Sequence, residues 1–185
     1  MGQGYEGLAI KNLIISQMIA RIDNLENIMK IAVACDHAGF LLKQAVLEAV
    51  VQAGDEVLFL GTDSTEPVDY PDYAEKLGSV IQSGHAERGI LLCGSGVGAC
   101  IAANKIKGIF ACVCHDTYSA HQGVEHDDMN VLCIGTRVVG PDLVKEIVAT
   151  FLAARFIGND PGQERHARRV EKVRNLEEHW KDKSV

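Results

Sequence analysis

A chain of 185 residues is long enough to bury one full core, and 47% apolar against 23% charged residues places it among globular domains. No run of 18 apolar residues occurs, which excludes a membrane span by hydropathy. A net charge of −7 disfavours nonspecific nucleic-acid binding.

Residues 1–28 are read as an N-terminal helical extension to a domain over 29–185. Leu8, Ile15, Met18, Ile22 and Leu25 recur near heptad spacing among Lys11, Gln17, Arg21, Asp23 and Glu26. That pattern predicts an amphipathic helix over about 8–27, packing on the domain or on a partner. It has no basic start followed by a small-residue cleavage site, so it is not read as a targeting segment.

From Met29 strands and helices alternate. Apolar runs predict strands over 30–35, 56–60, 90–93, 109–114 and 131–135. Between them lie helical patterns over 40–53, 73–83, 98–105, 117–125 and 141–156, and a charged helix follows over 164–181. The expected fold is therefore α/β: a three-layer α/β/α sandwich on a five-stranded parallel sheet, Rossmann-like or flavodoxin-like, with extra helices at both ends. The six cysteines (35, 93, 100, 112, 114, 133) have no CxxC or zinc spacing, so no metal or cofactor is expected. Cys100, Cys112 and Cys133 read as core, and free thiols fit a reducing cytoplasm.

Ligands of such sheets sit at the carboxyl ends of the strands. There the first strand delivers Cys35-Asp36-His37, the third Cys93, the fourth His115-Asp116 and the fifth Gly135-Thr136-Arg137. After Cys93 come Gly94, Gly96 and Gly98 and then a helix start, a nest of N–H groups suited to an anion. Cys93 sits at its lip, where loop amides and helix dipole are expected to lower its pKa from about 8.5. Taken alone, Cys93 could equally be a buried strand thiol, Asp36 a helix cap, Tyr70 a brace for Pro71, and the arginines of 164–181 a solvated face. His85, His115, His121 and His179 receive no role.

The stretches KIAVACDHAGFLLK, VDYPDYA, GILLCGSGVGACIAANK, EHDDMNVLCIGTRVVG and ERHARRV together resemble the type B ribose-5-phosphate isomerases and their galactose-6-phosphate relatives. The resemblance runs from Met29 to about Glu178 and leaves out 1–28. It implies a metal-independent aldose–ketose isomerase, with D-ribose 5-phosphate and D-ribulose 5-phosphate as the leading pair. Cys93 stands at the general-base position; another branch uses a glutamate where this chain has Ala99. Ser95 matches a hydroxyl that assists proton transfer, Asp36 and His37 match the groups that meet the sugar, and His126 matches a ring-opening residue. Tyr70 matches a pocket tyrosine. Arg137, Arg165 and Arg169 match phosphate-binding arginines, assisted by His37 and His166. Asp127 stands where asparagine is more frequent, adding a carboxylate near the sugar. The resemblance further implies homodimers whose sites draw on both subunits, with a tetramer as the alternative.

The chemistry fits those residue types. Carbonyl migration needs a base for a C–H proton and donors for the enediolate oxygen, which the Gly94–Gly98 amides are expected to supply. Asp36 and His126 are candidates for opening the cyclic sugar. Competing readings are an isomerase of allose 6-phosphate or galactose 6-phosphate, a non-catalytic phosphometabolite-binding module, and a nucleotide-binding domain. The last lacks an acidic residue ending the next strand.

Overall fold

The computed structural model describes residues 28–181, so the helix expected over 8–27 lies outside the described residues. In chain order the elements are β1 (Lys30–Cys35), α1 (Lys43–Gln52), β2 (Glu56–Phe59), α2 (Tyr70–Gln82), β3 (Arg88–Cys93), α3 (Val97–Ala103), β4 (Ala111–Val113), α4 (Thr117–Asp127), β5 (Val131–Gly135), α5 (Pro141–Ala153) and α6 (Glu164–Lys181). A 3-10 turn, Gly39–Leu42, precedes α1. Every strand pairing is parallel, in the order β2-β1-β3-β5-β4, as the strand–helix alternation requires.

Strand side chains alternate between two cores. Ile31, Val33, Cys35, Ile90, Leu92, Leu132 and Ile134 meet α1, α4 and α5, the last through Val144, Ile147, Val148 and Phe151. Ala32, Ala34, Leu91, Cys93 and Cys133 meet α2 and α3 through Ala74, Leu77, Ala99 and Ala103. Alanines on this second face let two helices lie close to the sheet. Arg88, at the start of β3, reaches under α5 and donates to the carbonyls of Phe151 (2.6 Å) and Ala154 (2.7 Å). It thereby satisfies acceptors that a helix C-terminus leaves open.

Element ends differ from expectation by up to three residues, and three of the differences have clear local causes. The helix expected over 40–53 is broken at its start, because the Asp36 carboxylate takes the Gly39 N–H (2.7 Å) and Leu42 leaves helical geometry at φ −102°, ψ 1°. The helix expected from 73 begins at Tyr70, after extended Asp69, with Pro71 in its first turn, where a missing N–H costs nothing. The strand expected over 109–114 shrinks to Ala111–Val113. Asn side chains intercept its N-terminal flank: Asn130 Oδ1 accepts from Phe110 N (2.8 Å) and Asn104 Oδ1 from Ala111 N (2.9 Å). Because β4 lies at the sheet edge, Cys112 is exposed rather than core, and Cys100 is only half-buried.

Candidate active site

The chain leaves β1 towards β2 on one side and returns to β3 on the other, so β1 and β3 flank the switch point of the sheet. Asp36 follows β1 and Cys93 ends β3; both are buried, at 5% and 9% exposure. The Asp36 N–H bonds the Leu92 carbonyl (3.2 Å), which sets Asp36 beside Cys93, and the Asp36 carboxylate and the backbone N–H groups of Ser95 and Gly96 are the polar groups that act on the thiol. Asp36 is held in turn by the Gly39 N–H. His37, half-buried, accepts the Val68 N–H on Nδ1 (3.1 Å), which leaves a proton on Nε2 in the neutral ring.

The expected lowering of the Cys93 pKa is corrected here. Burial and the Asp36 carboxylate push the thiol up, and they outweigh the Ser95 and Gly96 amides that pull it down. A carboxylate beside a thiol disfavours a second negative charge, and a seven-residue α3 offers little dipole to offset it.

A clasp joins three strand exits. Thr136, after β5, donates its N–H to the Cys93 carbonyl (2.9 Å) and its hydroxyl to the Ala38 carbonyl (2.8 Å). Arg137 N–H bonds the Gly94 carbonyl (3.0 Å), and its exposed guanidinium lies along Gly94, where a Cβ would sit 3.5 Å from Nε. Gly96 caps α3 at φ +80°, a left-handed conformation that favours glycine. At Gly98 a Cβ would lie 2.8 Å from the Tyr70 ring, so only a bare Cα lets that tyrosine close over the nest. Ser95 is exposed, and its hydroxyl accepts the Val97 N–H (3.3 Å).

The remaining candidates form a second cluster. Helix α4 starts after β4 at the carboxyl edge and runs back to the start of β5, about 16 Å at 1.5 Å per residue. His126 and Asp127, in its last turn, therefore lie at the opposite edge from Cys93. His126 stacks on His166 of α6 with centroids 4.2 Å apart, and its Nδ1 is 3.0 Å from the Gln122 amide. Burial lowers the His166 pKa, as do neighbouring Arg165, His126 and Arg169. Among the described residues, His166 Nε2 and Gln163 Oε1 are buried with no hydrogen-bond partner. Arg165 Nη1 reaches the Gly162 carbonyl (3.4 Å). Arg169 and Asp127 line a groove of about 430 Å³ with Asn104, Cys112 and Gln122.

One chain thus brings together Asp36, His37, Tyr70, Cys93, Ser95, the three glycines and Arg137. It holds His126, Asp127, Arg165 and Arg169 apart from them. Sequence reasoning noted His115 and Thr136 at the strand ends without giving either a task; their position at the carboxyl edge was the only signal. Among the described residues no cluster of three or more His, Cys, Asp or Glu is arranged to hold a metal, and no helix is long and apolar enough to cross a membrane.

A family model described as Ribose/Galactose Isomerase matches residues 31–173. Ribose-5-phosphate isomerase B of Escherichia coli is 46% identical over 149 residues, covering 80% of this chain and 97% of that protein. A D-erythrulose-4-phosphate isomerase of Pectobacterium atrosepticum is 42% identical, covering 78% and 93%. Among solved structures, ribose-5-phosphate isomerase B of Clostridium thermocellum superposes with a TM-score of 0.77 at 44% identity, over 82% of this chain and 99% of that one. A match that runs from the first strand into the last helix, with these relatives covered almost end to end, establishes that the chain belongs to the ribose/galactose isomerase family.

Proposed function

We propose that this protein interconverts D-ribose 5-phosphate and D-ribulose 5-phosphate through an enediolate, without a metal, with Cys93 as general base. The observation that carries this reading is the buried Cys93 at the switch point of the sheet, ending β3 beside buried Asp36 and opening into the Gly94–Gly98 loop that caps α3. Once the thiol proton has passed to solvent, the Ser95 and Gly96 amides hold the thiolate that removes the C2 proton. Those two amides are then spent on sulfur. The enediolate oxygen falls to the Gly98 and Ala99 N–H groups, which precede the first intrahelical bond from Cys100 N–H to the Gly96 carbonyl. One such donor is worth about 10²–10³ in rate. The protonated thiol then returns that proton to C1, and the Ser95 hydroxyl, exposed beside the nest, carries the O2 proton to O1, which leaves the ketose carbonyl at C2. Tyr70 and the His37 Nε2–H line the sugar.

Ring opening and phosphate capture need groups that one chain keeps at the far edge. A homodimer supplies them: His126, paired with Asp36 for ring opening, Asp127 at the sugar, and Arg165 and Arg169 for the phosphate come from the second copy and join Arg137 of the first. Two buried polar atoms with no partner among the described residues, on Gln163 and His166, support a surface completed by another molecule. Six free cysteines fit a cytoplasmic setting.

A coupled assay over D-ribose 5-phosphate, D-allose 6-phosphate, D-galactose 6-phosphate and D-erythrulose 4-phosphate tests the substrate. The highest kcat/KM is expected for the ribose ester; a relative named for erythrulose phosphate makes the four-carbon sugar the second reading. Cys93→Ala is expected to abolish turnover and leave calorimetric substrate binding nearly intact, and unchanged turnover would remove the proposed base. Binding without turnover of any of these sugars by the parent protein would leave a phosphometabolite-binding module.

A further inference from the structure

We propose that His115 is a positioning residue: its imidazole anchors the Gly135 peptide against the Ser95–Gly96 loop and thereby sets the geometry of Cys93 and Arg137. The proposal rests on the isomerase reading for its kinetic consequence, though not for its structural one.

In a regular parallel ladder, the residue whose N–H reaches Cys133 accepts, on its own carbonyl, the N–H of Gly135. Cys114 makes the first of these bonds, to the Cys133 carbonyl at 3.1 Å. The Gly135 N–H goes instead to His115 Nε2 at 2.9 Å. The ring replaces the next rung of the ladder at the point where edge strand β4 ends. As an acceptor on Nε2, it is the neutral tautomer protonated on Nδ1. Gly135 is buried, so its N–H has no recourse to water when that acceptor is removed.

The other side of Gly135 is the loop that carries the thiol. A Cβ at Gly135 would lie 2.6 Å from the Ser95 carbonyl oxygen and 2.9 Å from His115 Nε2. A Cβ at Gly96 would lie 3.1 Å from the Gly135 nitrogen. The peptide is therefore wedged between ring and loop. The next two N–H groups, of Thr136 and Arg137, bond the carbonyls of Cys93 (2.9 Å) and Gly94 (3.0 Å). Three successive amides tie β5 to its surroundings, two to the thiol-bearing loop and one to His115. The imidazole acts on the reaction through that backbone.

The test compares His115→Leu, His115→Asn and His115→Gln in the full chain. Gln places an acceptor oxygen as many bonds from Cα as His Nε2, whereas Asn is too short. Leu and Asn are expected to lower kcat/KM about tenfold and to change the iodoacetamide alkylation rate of Cys93, read on its peptide by mass spectrometry, more than threefold. Gln is expected to stay within threefold of the parent in both. A ring that serves packing alone would make Leu the best tolerated and Gln no better than Asn; that pattern, or parental values for Leu and Asn, overturns the proposal. If Leu does not fold, the Gln–Asn comparison decides. If the parent turns over no sugar phosphate, the isomerase reading fails, while the alkylation rates still decide the role of His115.

Discussion

Gly135→Ala probes how tightly the thiol loop is held. The glycine has no positive φ, so alanine fits its backbone and would alone stabilise by about 0.4–1 kcal/mol. Contact decides the other way. The new Cβ would lie 2.6 Å from the Ser95 carbonyl oxygen and 2.7 Å from its carbon, against about 3.5 Å for an ordinary contact. The Ser95 peptide must therefore retreat by about 0.9 Å, since backbone cannot rotate aside as a side chain does. Overpacking of this kind costs about 1–3 kcal/mol, which for a chain of this size lowers Tm by about 2–4 °C per kcal/mol. The larger effect is catalytic. The Ser95 N–H is one of two that act on the Cys93 thiol, and a misplacement near 1 Å costs about 10²-fold in rate. Gly135→Ala is accordingly expected to keep its fold, lose a few degrees in a melting scan and lose about 10²-fold in kcat/KM with ribose 5-phosphate. A variant that melts like the parent and keeps kcat/KM within threefold would refute the close approach on which this reasoning stands.

Gly98→Ala has the opposite balance: its Cβ meets the ring of Tyr70, which is 40% exposed and free to swing outward, while alanine gains about 1 kcal/mol of helix propensity in α3. KM is expected to rise several-fold with Tm unchanged or higher, and a Tm loss without a KM change would contradict it. The raised Cys93 pKa keeps the thiol neutral at pH 7–8, so kcat/KM and Cys93 alkylation should both climb only at pH above 9. Folding favours that neutral thiol, so its stabilising share is complete below pH 9 and is lost above it. Asp36→Asn removes the carboxylate and should move the alkylation midpoint down; a midpoint that stays put would show burial alone to be the cause. Arg169→Ala should raise KM at least tenfold with kcat within threefold, and a loss confined to kcat would rule out a positioning role.

Much of this fold was legible because its signals are local. The ranges of β1, β5 and α6 follow from apolar runs and a charged period, and the parallel sheet from their alternation. What escaped depends on side chains that capture backbone groups from a distance. Asn104 and Asn130 shorten β4, and Asp36 breaks the start of α1, although each looks like an ordinary polar residue in sequence. The thiol and glycines of the candidate site stood out by type and spacing, whereas Arg165 and Arg169 were reached only through the family resemblance. The sign of the Cys93 shift was not legible, because burial and Asp36 reach it only in three dimensions. Nor does spacing along the chain reveal that α4 carries His126 to the far edge of the sheet.

That partition sets proton transfer at carbon apart from part of the sugar and phosphate recognition. Groups proposed for proton transfer sit on segments pinned to one another through Thr136, where most substitutions disturb several neighbours at once. Three of the groups proposed to meet the sugar and its phosphate, Asp127, Arg165 and Arg169, sit on α4 and α6, where Asp127 and Arg169 border an open groove. Selection can thus retune which ester is accepted while the proton-moving apparatus stays untouched, a route by which one scaffold comes to serve sugars of different length.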